Sequence, residues 1–182
     1  AEGKSADLLL GNNVLAHVPD LNDFVRGLQL TLKPGGVITM EFPHLLQLMR
    51  ENQFDTIYHE HFSYFSFLTV QKVFAHHGLR IFDVERLPTH GGSLRIYACH
   101  SGYAAHANSH QVEALLQTER AAGLDGLDAY RDFSERVKKV KRRLLAFLIE
   151  AKEAGKTVVG YGALMIASHQ GQEDFSVLRQ ED

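Results

Sequence analysis

Asp7-Leu8-Leu9-Leu10-Gly11-Asn12-Asn13 opens a stretch that continues through Asp20-Leu21 to Pro34-Gly35-Gly36-Val37-Ile38-Thr39-Met40-Glu41-Phe42, and its reading decides the fold. The apolar run from Asp7 to Leu10, ending in Gly11-Asn12-Asn13, predicts a buried strand followed by a turn. Asp20 is placed to cap a helix that begins near Leu21 and carries the apolar stripe Leu21, Phe24, Val25, Leu28 and Leu32. Pro34-Gly35-Gly36 is expected to end that helix, and Val37 to Phe42 to form the next strand. Strand, helix and strand joined by short connections make a βαβ unit, with parallel pairing and a right-handed crossover. The fold class is therefore α/β.

Working outward, Leu45, Leu46, Leu48 and Met49 predict a short helix after Pro43, and Leu68 to Gly78 a second one. Leu79 to Leu87 and Ser93 to Cys99 read as paired strands around the glycine turn Pro88-Thr89-His90-Gly91-Gly92. From Gly102 the composition shifts to Ala, Glu, Leu and basic residues. One helix is expected over Ser109 to Ala122 and a long one over Leu127 to Ala154. The long one has the apolar stripe Leu127, Tyr130, Phe133, Val137, Val140, Leu144, Phe147, Leu148 and Ala151. After Gly155, Lys156 to Tyr161 is expected as a strand opening into Gly160-Tyr161-Gly162-Ala163. Met165 stands where a dinucleotide fingerprint would need its third glycine, so a structural strand-to-helix turn is the preferred reading. The organisation expected is residues 1–101 as one partial domain, 102–155 as a helical connector, and 156–182 as the start of a truncated second α/β domain.

Composition narrows the function classes. A net charge of −3 gives no general reason to expect nucleic acid or an anionic membrane as partner. The basic cluster Lys138, Lys139, Lys141, Arg142, Arg143 lacks an aromatic platform and is read as a solvated helix face. No apolar run approaches the ~20 residues of a transmembrane helix. Cys99 is the one cysteine, which forbids an intrachain disulfide and points to a reducing, cytoplasmic setting. Oligomeric state leaves no trace in the sequence.

The chemistry concentrates in Thr56-Ile57-Tyr58-His59-Glu60-His61-Phe62-Ser63-Tyr64-Phe65-Ser66, where titratable groups alternate with apolar Ile57, Phe62 and Phe65, part of which should be buried. No metal is expected, because His59-x-His61 supplies at most two of the three or four ligands a zinc site needs. A general base fits the pattern, since an imidazole titrates near neutral pH without large perturbation. Glu60 could orient an imidazole and Tyr58 could donate to an oxyanion; a surface loop packed on Tyr58 and Phe62 is an equally open alternative. Asn12, Asn13 and His17 follow the carboxyl end of a parallel strand, where open α/β sheets bind ligands; an Asx turn with a solvent-facing His is the plainer alternative. Thr89 to Ser93 could cradle an anion or form a plain hairpin turn.

Taken in order, Asn12-Asn13-Val14-Leu15-Ala16-His17-Val18-Pro19-Asp20, Leu32-Lys33-Pro34-Gly35-Gly36, Tyr58 to Ser66, His90-Gly91-Gly92-Ser93-Leu94-Arg95 and Val159-Gly160-Tyr161-Gly162-Ala163 resemble the S-adenosylmethionine-dependent sugar C-methyltransferases of deoxysugar biosynthesis. These act on C3 of dTDP-linked 4-keto-hexoses. The resemblance covers about residues 5–163; the Lys-Pro-Gly-Gly segment is common to many methyltransferases, and the Tyr58 to Ser66 run is specific. It implies the C-terminal part of a Rossmann-like class I methyltransferase domain, followed by helices leading into a truncated second α/β domain. The expectation is an internal fragment that lacks the N-terminal zinc domain, where zinc would bind, and the glycine-rich loop for the methionine part of the cofactor. By resemblance, His61 is the base, with His17 its rival, and Tyr58 and Glu60 position the sugar or stabilise the oxyanion. Asn12, Asn13 and Val14 lie on the cofactor side, and His59, His90, Gly91, Gly92, Ser93 and Tyr161 on the nucleotide-sugar side. An O- or N-methyltransferase, or an inactive fragment, are the alternatives.

Overall fold

The structure, a computed structural model, describes residues 5–159. Among these, β1 (Ala6–Asn12), α1 (Leu21–Thr31) and β2 (Leu32–Pro43) realise the βαβ unit, with β1 and β2 parallel. The Asp20 carboxylate accepts from the Asp23 N–H at 2.9 Å and caps α1. Next come α2 (Leu45–Glu51), α3 (Phe67–His76), β3 (Leu79–Leu87) and β4 (Ser93–His100), then α4 (His110–Ala121) and α5 (Asp128–Glu153). The sheet order is β1-β2-β4-β3, with β4 antiparallel to both of its neighbours. One face of the central strands is fully buried through Ile38, Phe42, Leu94 and Ile96. Each such side chain contributes about 1.5–3 kcal/mol of burial free energy.

Several expectations change once the elements are packed. Pro34-Gly35-Gly36 lies inside β2, not between helix and strand: Leu32 is already extended and pairs with Ala6, with a register irregularity before Leu8 pairs with Val37. A Cβ on Gly36 would stand 2.9 Å from the Ala6 carbonyl oxygen, so glycine here is what lets β1 approach. The expected burial of β1 is also corrected. Leu8 and Leu10 are 56% and 66% exposed, because β1 is the edge of the described sheet and their face is uncovered among the described residues.

The stripe of α5 is mostly exposed as well: only Ala151 is fully buried, with Phe133 and Ala129 packed against the core. Arg136 pins the first half of α5 by donating to the Met49 carbonyl of α2 at 2.7 Å. By contrast α4 packs on β3 and α3, and its Val112, Leu115 and Leu116 enter the same core as the sheet. Lys156 to Val159 is not a strand, and Gly160 to Asp182, including Tyr161, lies outside the described residues. No helix among the described residues is long and apolar enough to cross a membrane.

The turn between β3 and β4 needs its second glycine. Gly92 has φ 120°, and a Cβ there would meet Gln47 Cγ at 2.5 Å. Gly92→Ala should therefore destabilise the protein by about 1–3 kcal/mol in urea unfolding; a midpoint equal to wild type would contradict this account of the turn.

Candidate active site

Parallel β1 and β2 end side by side, and the loops that leave them build the site. Asn12 pairs with Glu41, and Asn13 adopts a left-handed φ of 55° while its N–H donates to the Glu41 carbonyl at 2.8 Å. A short 3-10 turn, Leu15–His17, buries Leu15 and Ala16 and so fixes where His17 stands. The Ala16 carbonyl then accepts from the N–H groups of Phe62 at 2.9 Å and Ser63 at 3.3 Å. These two bonds fasten the Tyr58 to Ser66 segment onto the exit of β1.

Within that segment the imidazoles are held by main-chain carbonyls. His61 Nδ1 donates to the Thr56 carbonyl at 3.1 Å, which leaves Nε2 as the ring acceptor, and the Tyr58 hydroxyl donates to it at 3.1 Å. His17 Nδ1 donates to the Glu60 carbonyl at 3.0 Å, which again leaves Nε2 with a lone pair. The His17 and His61 rings meet edge to face, 4.8 Å apart. Burial lowers the His61 pKa below 6.5, and the neighbouring His17 and His90 push the same way, outweighing the Thr56 carbonyl and Glu60. The Tyr64 hydroxyl accepts from the Tyr58 N–H at 3.2 Å and donates to the Thr56 carbonyl at 3.4 Å. Burial raises the Tyr64 pKa, so it stays a neutral donor.

The structure thus brings together Tyr58, His61 and His17, and Glu60 joins them through its main chain. Its carbonyl orients His17, while its carboxylate side chain is exposed. His59 is exposed, its ring 6.5 Å from that of Tyr58. Phe62, expected among the buried anchors, is 61% exposed, because the pair of bonds to Ala16 seats that turn by its backbone; Phe65 is the buried anchor. On the glycine turn, His90 has φ 51° and its Nε2 accepts from the Asn13 amide at 3.1 Å. The Gly91 carbonyl accepts from Gln53 at 2.8 Å and the Gly92 carbonyl from the His44 N–H at 3.0 Å. The Gly92 N–H and the buried Ser93 hydroxyl both donate to the Thr89 carbonyl, so these donors serve the turn itself.

Sequence reasoning missed Tyr64 and the Thr56 carbonyl as the parts that hold His61. It also missed Glu41, whose buried carboxylate accepts from Thr89 Oγ1 at 2.9 Å and Arg95 at 2.8 Å. A signal for Glu41 existed: it falls with Thr39 on the alternate face of a strand otherwise made of Val37, Ile38, Met40 and Phe42.

Asn12 and Val14 are exposed at the open end of β1, and the Asn13 Oδ1 is buried without a hydrogen-bond partner among the described residues. An unpaired buried acceptor beside apolar Val14 suits a ligand that carries hydrogen-bond donors on an apolar frame.

A methyltransferase domain family matches residues 1–84, and the C-methyltransferase C-terminal domain family matches residues 88–169. The chain is similar to C-methyltransferase NovU of Streptomyces niveus, with 39% identity over 158 residues, 87% of this chain and 37% of that protein. It therefore spans little more than a third of this relative's length. Among solved structures it is similar to a chain from the complex between the Haloferax volcanii Trm112 methyltransferase activator and a methyltransferase (14% identity, TM-score 0.45, 53% of this chain and 55% of that one). It is also similar to magnesium protoporphyrin IX methyltransferase ChlM from Synechocystis PCC 6803 with bound SAH (14% identity, TM-score 0.42, 54% of this chain and 47% of that one).

Proposed function

We propose that this chain, which matches a methyltransferase domain family and then the C-methyltransferase C-terminal domain family, forms the acceptor-activating part of an S-adenosylmethionine-dependent enzyme that methylates carbon in a nucleotide-linked 4-keto-deoxysugar. The observation that supports this most is the His61 imidazole, kept neutral and fixed with Nε2 as its acceptor beside the Tyr58 hydroxyl. Methylation at carbon requires a nucleophile that a ketone does not offer until a neighbouring C–H has lost its proton. His61 Nε2 can take that proton, and its bond to Thr56 prevents the ring from turning the wrong nitrogen to the substrate. The Tyr58 hydroxyl occupies the same lone pair in the described state. A substrate C–H that takes its place frees the phenol to donate to the carbonyl oxygen, where enolate charge develops. His17, with its own Nε2 free and its ring against His61, is the second group able to carry a proton in the site.

Asn12, Asn13 and Val14 fit the cofactor side, since the unpaired Asn13 Oδ1 would accept from a donor of the ligand and Val14 offers apolar contact. S-adenosylmethionine bound there would supply an electrophilic methyl group for the carbanion. His59, His90 and the glycine turn stand on the acceptor side of this reading.

The test is product analysis with a carbon-13-labelled methyl donor and a 4-keto-sugar nucleotide, using the full-length protein. The label should appear on carbon, adjacent to the ketone; label on oxygen or nitrogen would overturn the reading. The pH dependence carries a sign. A His61 whose folded pKa lies below 6.5 remains a competent base in mildly acidic solution, so the acid limb of kcat/KM should fall below pH 6.5. The same depression means that protonation favours the unfolded chain. Stability should be unaffected above the ordinary pKa and should decline as pH falls below it toward the folded value. An acid limb above 6.5 would show that a different group limits the rate.

A further inference from the structure

Two residues without the freedom of glycine, Asn13 at φ 55° and His90 at φ 51°, occupy the left-handed region and are hydrogen-bonded to each other across the site. Such backbone persists only where surrounding contacts over-determine it. Here the contacts converge on one residue. The Glu41 main-chain carbonyl accepts from the Asn13 N–H, and the Glu41 carboxylate accepts from the hydroxyl of Thr89, the residue next to His90. Contacts therefore close into a ring that runs Glu41, Asn13, His90, Thr89 and back to Glu41. The other carboxylate oxygen takes Arg95, which pairs with Glu41 in the β2–β4 register and is itself flanked by Glu85 at 3.7 Å on β3. That row of charges across three strands fixes the carboxylate from behind.

We propose that Glu41 is a positioning residue that locks the Asn13–His90 pair and so registers the cofactor side of the site against the acceptor side. The inference rests on the functional reading given above for those two sides. Glu41 is only 5% exposed, yet burial, which would raise its pKa, is outweighed by Thr89 and Arg95, and the carboxyl group stays ionised. An ionised acceptor with two fixed donors is a rigid fitting, unlike a solvated loop contact. Asn13 thereby donates to His90 Nε2 and leaves its own Oδ1 unpaired for a ligand, and His90 carries its proton on Nδ1.

Thr89→Val, Thr89→Ser and Glu41→Gln in the full-length protein separate positioning from mere support. Nitrogen-15 NMR of the His90 ring should show the Nδ1–H tautomer in wild type and Thr89→Ser, and a mixture of tautomers in Thr89→Val and Glu41→Gln. Turnover should drop about a hundredfold in Thr89→Val, as misplacement by about an ångström does, and return toward wild type in Thr89→Ser. If Glu41→Gln does not fold, the Thr89 pair carries the test alone. A wild-type His90 spectrum and rate in Thr89→Val would overturn the proposal. Equal losses in Thr89→Val and Thr89→Ser, with His90 unchanged, would also overturn it in favour of a plain stability role. Wild-type protein that methylates no keto acceptor would sink the functional reading instead, and the tautomer comparison would still decide the ring.

Discussion

His61→Gln is expected to lower turnover by about 10²–10⁴-fold while leaving the affinity for the methyl donor near wild type, since general-base catalysis contributes that much and the hydrogen bonds of His61 go to Tyr58 and Thr56 rather than to Asn12, Asn13 or Val14. Glutamine approximates the size of imidazole and can still donate to the Thr56 carbonyl, so the segment should keep its shape. What disappears is the Nε2 lone pair that the Tyr58 hydroxyl now occupies. In barrier height the loss corresponds to about 3–5 kcal/mol. The companion variant is His17→Gln, because the two rings touch and each presents an unprotonated Nε2. His17 has no hydroxyl donor on its Nε2 among the described residues, whereas His61 has Tyr58, which Tyr64 in turn holds. A modest loss in His17→Gln beside a large one in His61→Gln would assign the base. The reverse order would transfer that role to His17 and make His61 its orienting partner. Single-turnover measurement with pre-bound donor is the suitable readout, because product release cannot then hide the chemical step.

The parts of this fold that were legible in the sequence are those set by neighbours along the chain. Asp20 caps the helix that follows it, the apolar spacing from Leu21 to Leu28 gives α1, and Leu79–Leu87 pairs with Ser93–His100 across a short glycine turn. What failed was burial, which depends on which elements arrive from elsewhere. Leu8 and Leu10 form an apolar strand that nevertheless lies at the edge of the described sheet, and the apolar stripe of α5 is exposed over most of its length. Pro34-Gly35-Gly36 has the composition of a turn, yet it sits in a strand because Gly36 lets β1 pass close by. In the site, the side chains with chemistry were visible because their types are informative. Their supports were not: the Thr56, Ala16 and Glu60 carbonyls act through the backbone, which has no residue signature. Glu41 and Arg95 meet only through the β2–β4 register, 54 residues apart.

Glu119→Ala should be the most destabilising single change outside the apolar core, costing about 3–5 kcal/mol, a large share of the ~5–15 kcal/mol that holds a domain folded. Glu119 is 0% exposed, and from α4 its carboxylate accepts three donors. These are the N–H groups of Phe67 and Leu68, each at 2.8 Å, and His44 Nε2 at 2.7 Å. The first two are orphan donors at the N-terminus of α3, where an acidic group also meets the positive end of the helix dipole. His44 in turn stands where both loops of the site are tied down. Its N–H donates to the Gly92 carbonyl, and the next N–H, that of Leu45, donates to the Phe65 carbonyl. Removing the carboxylate strands two buried amides and one imidazole together, which explains why the cost should exceed that of a lone hydrogen bond. Glu119→Gln keeps the shape but turns an amide NH₂ toward donors, so it should fall between wild type and Ala. The double variant His44→Leu/Glu119→Leu removes both side-chain partners. It should recover part of the loss relative to Glu119→Leu alone, although the two α3 amides stay unpaired. Urea unfolding gives all four values on one scale. A cost below about 1 kcal/mol for Glu119→Ala would mean that water or another group satisfies those donors, and that α4 is not what holds the two loops of the site in register.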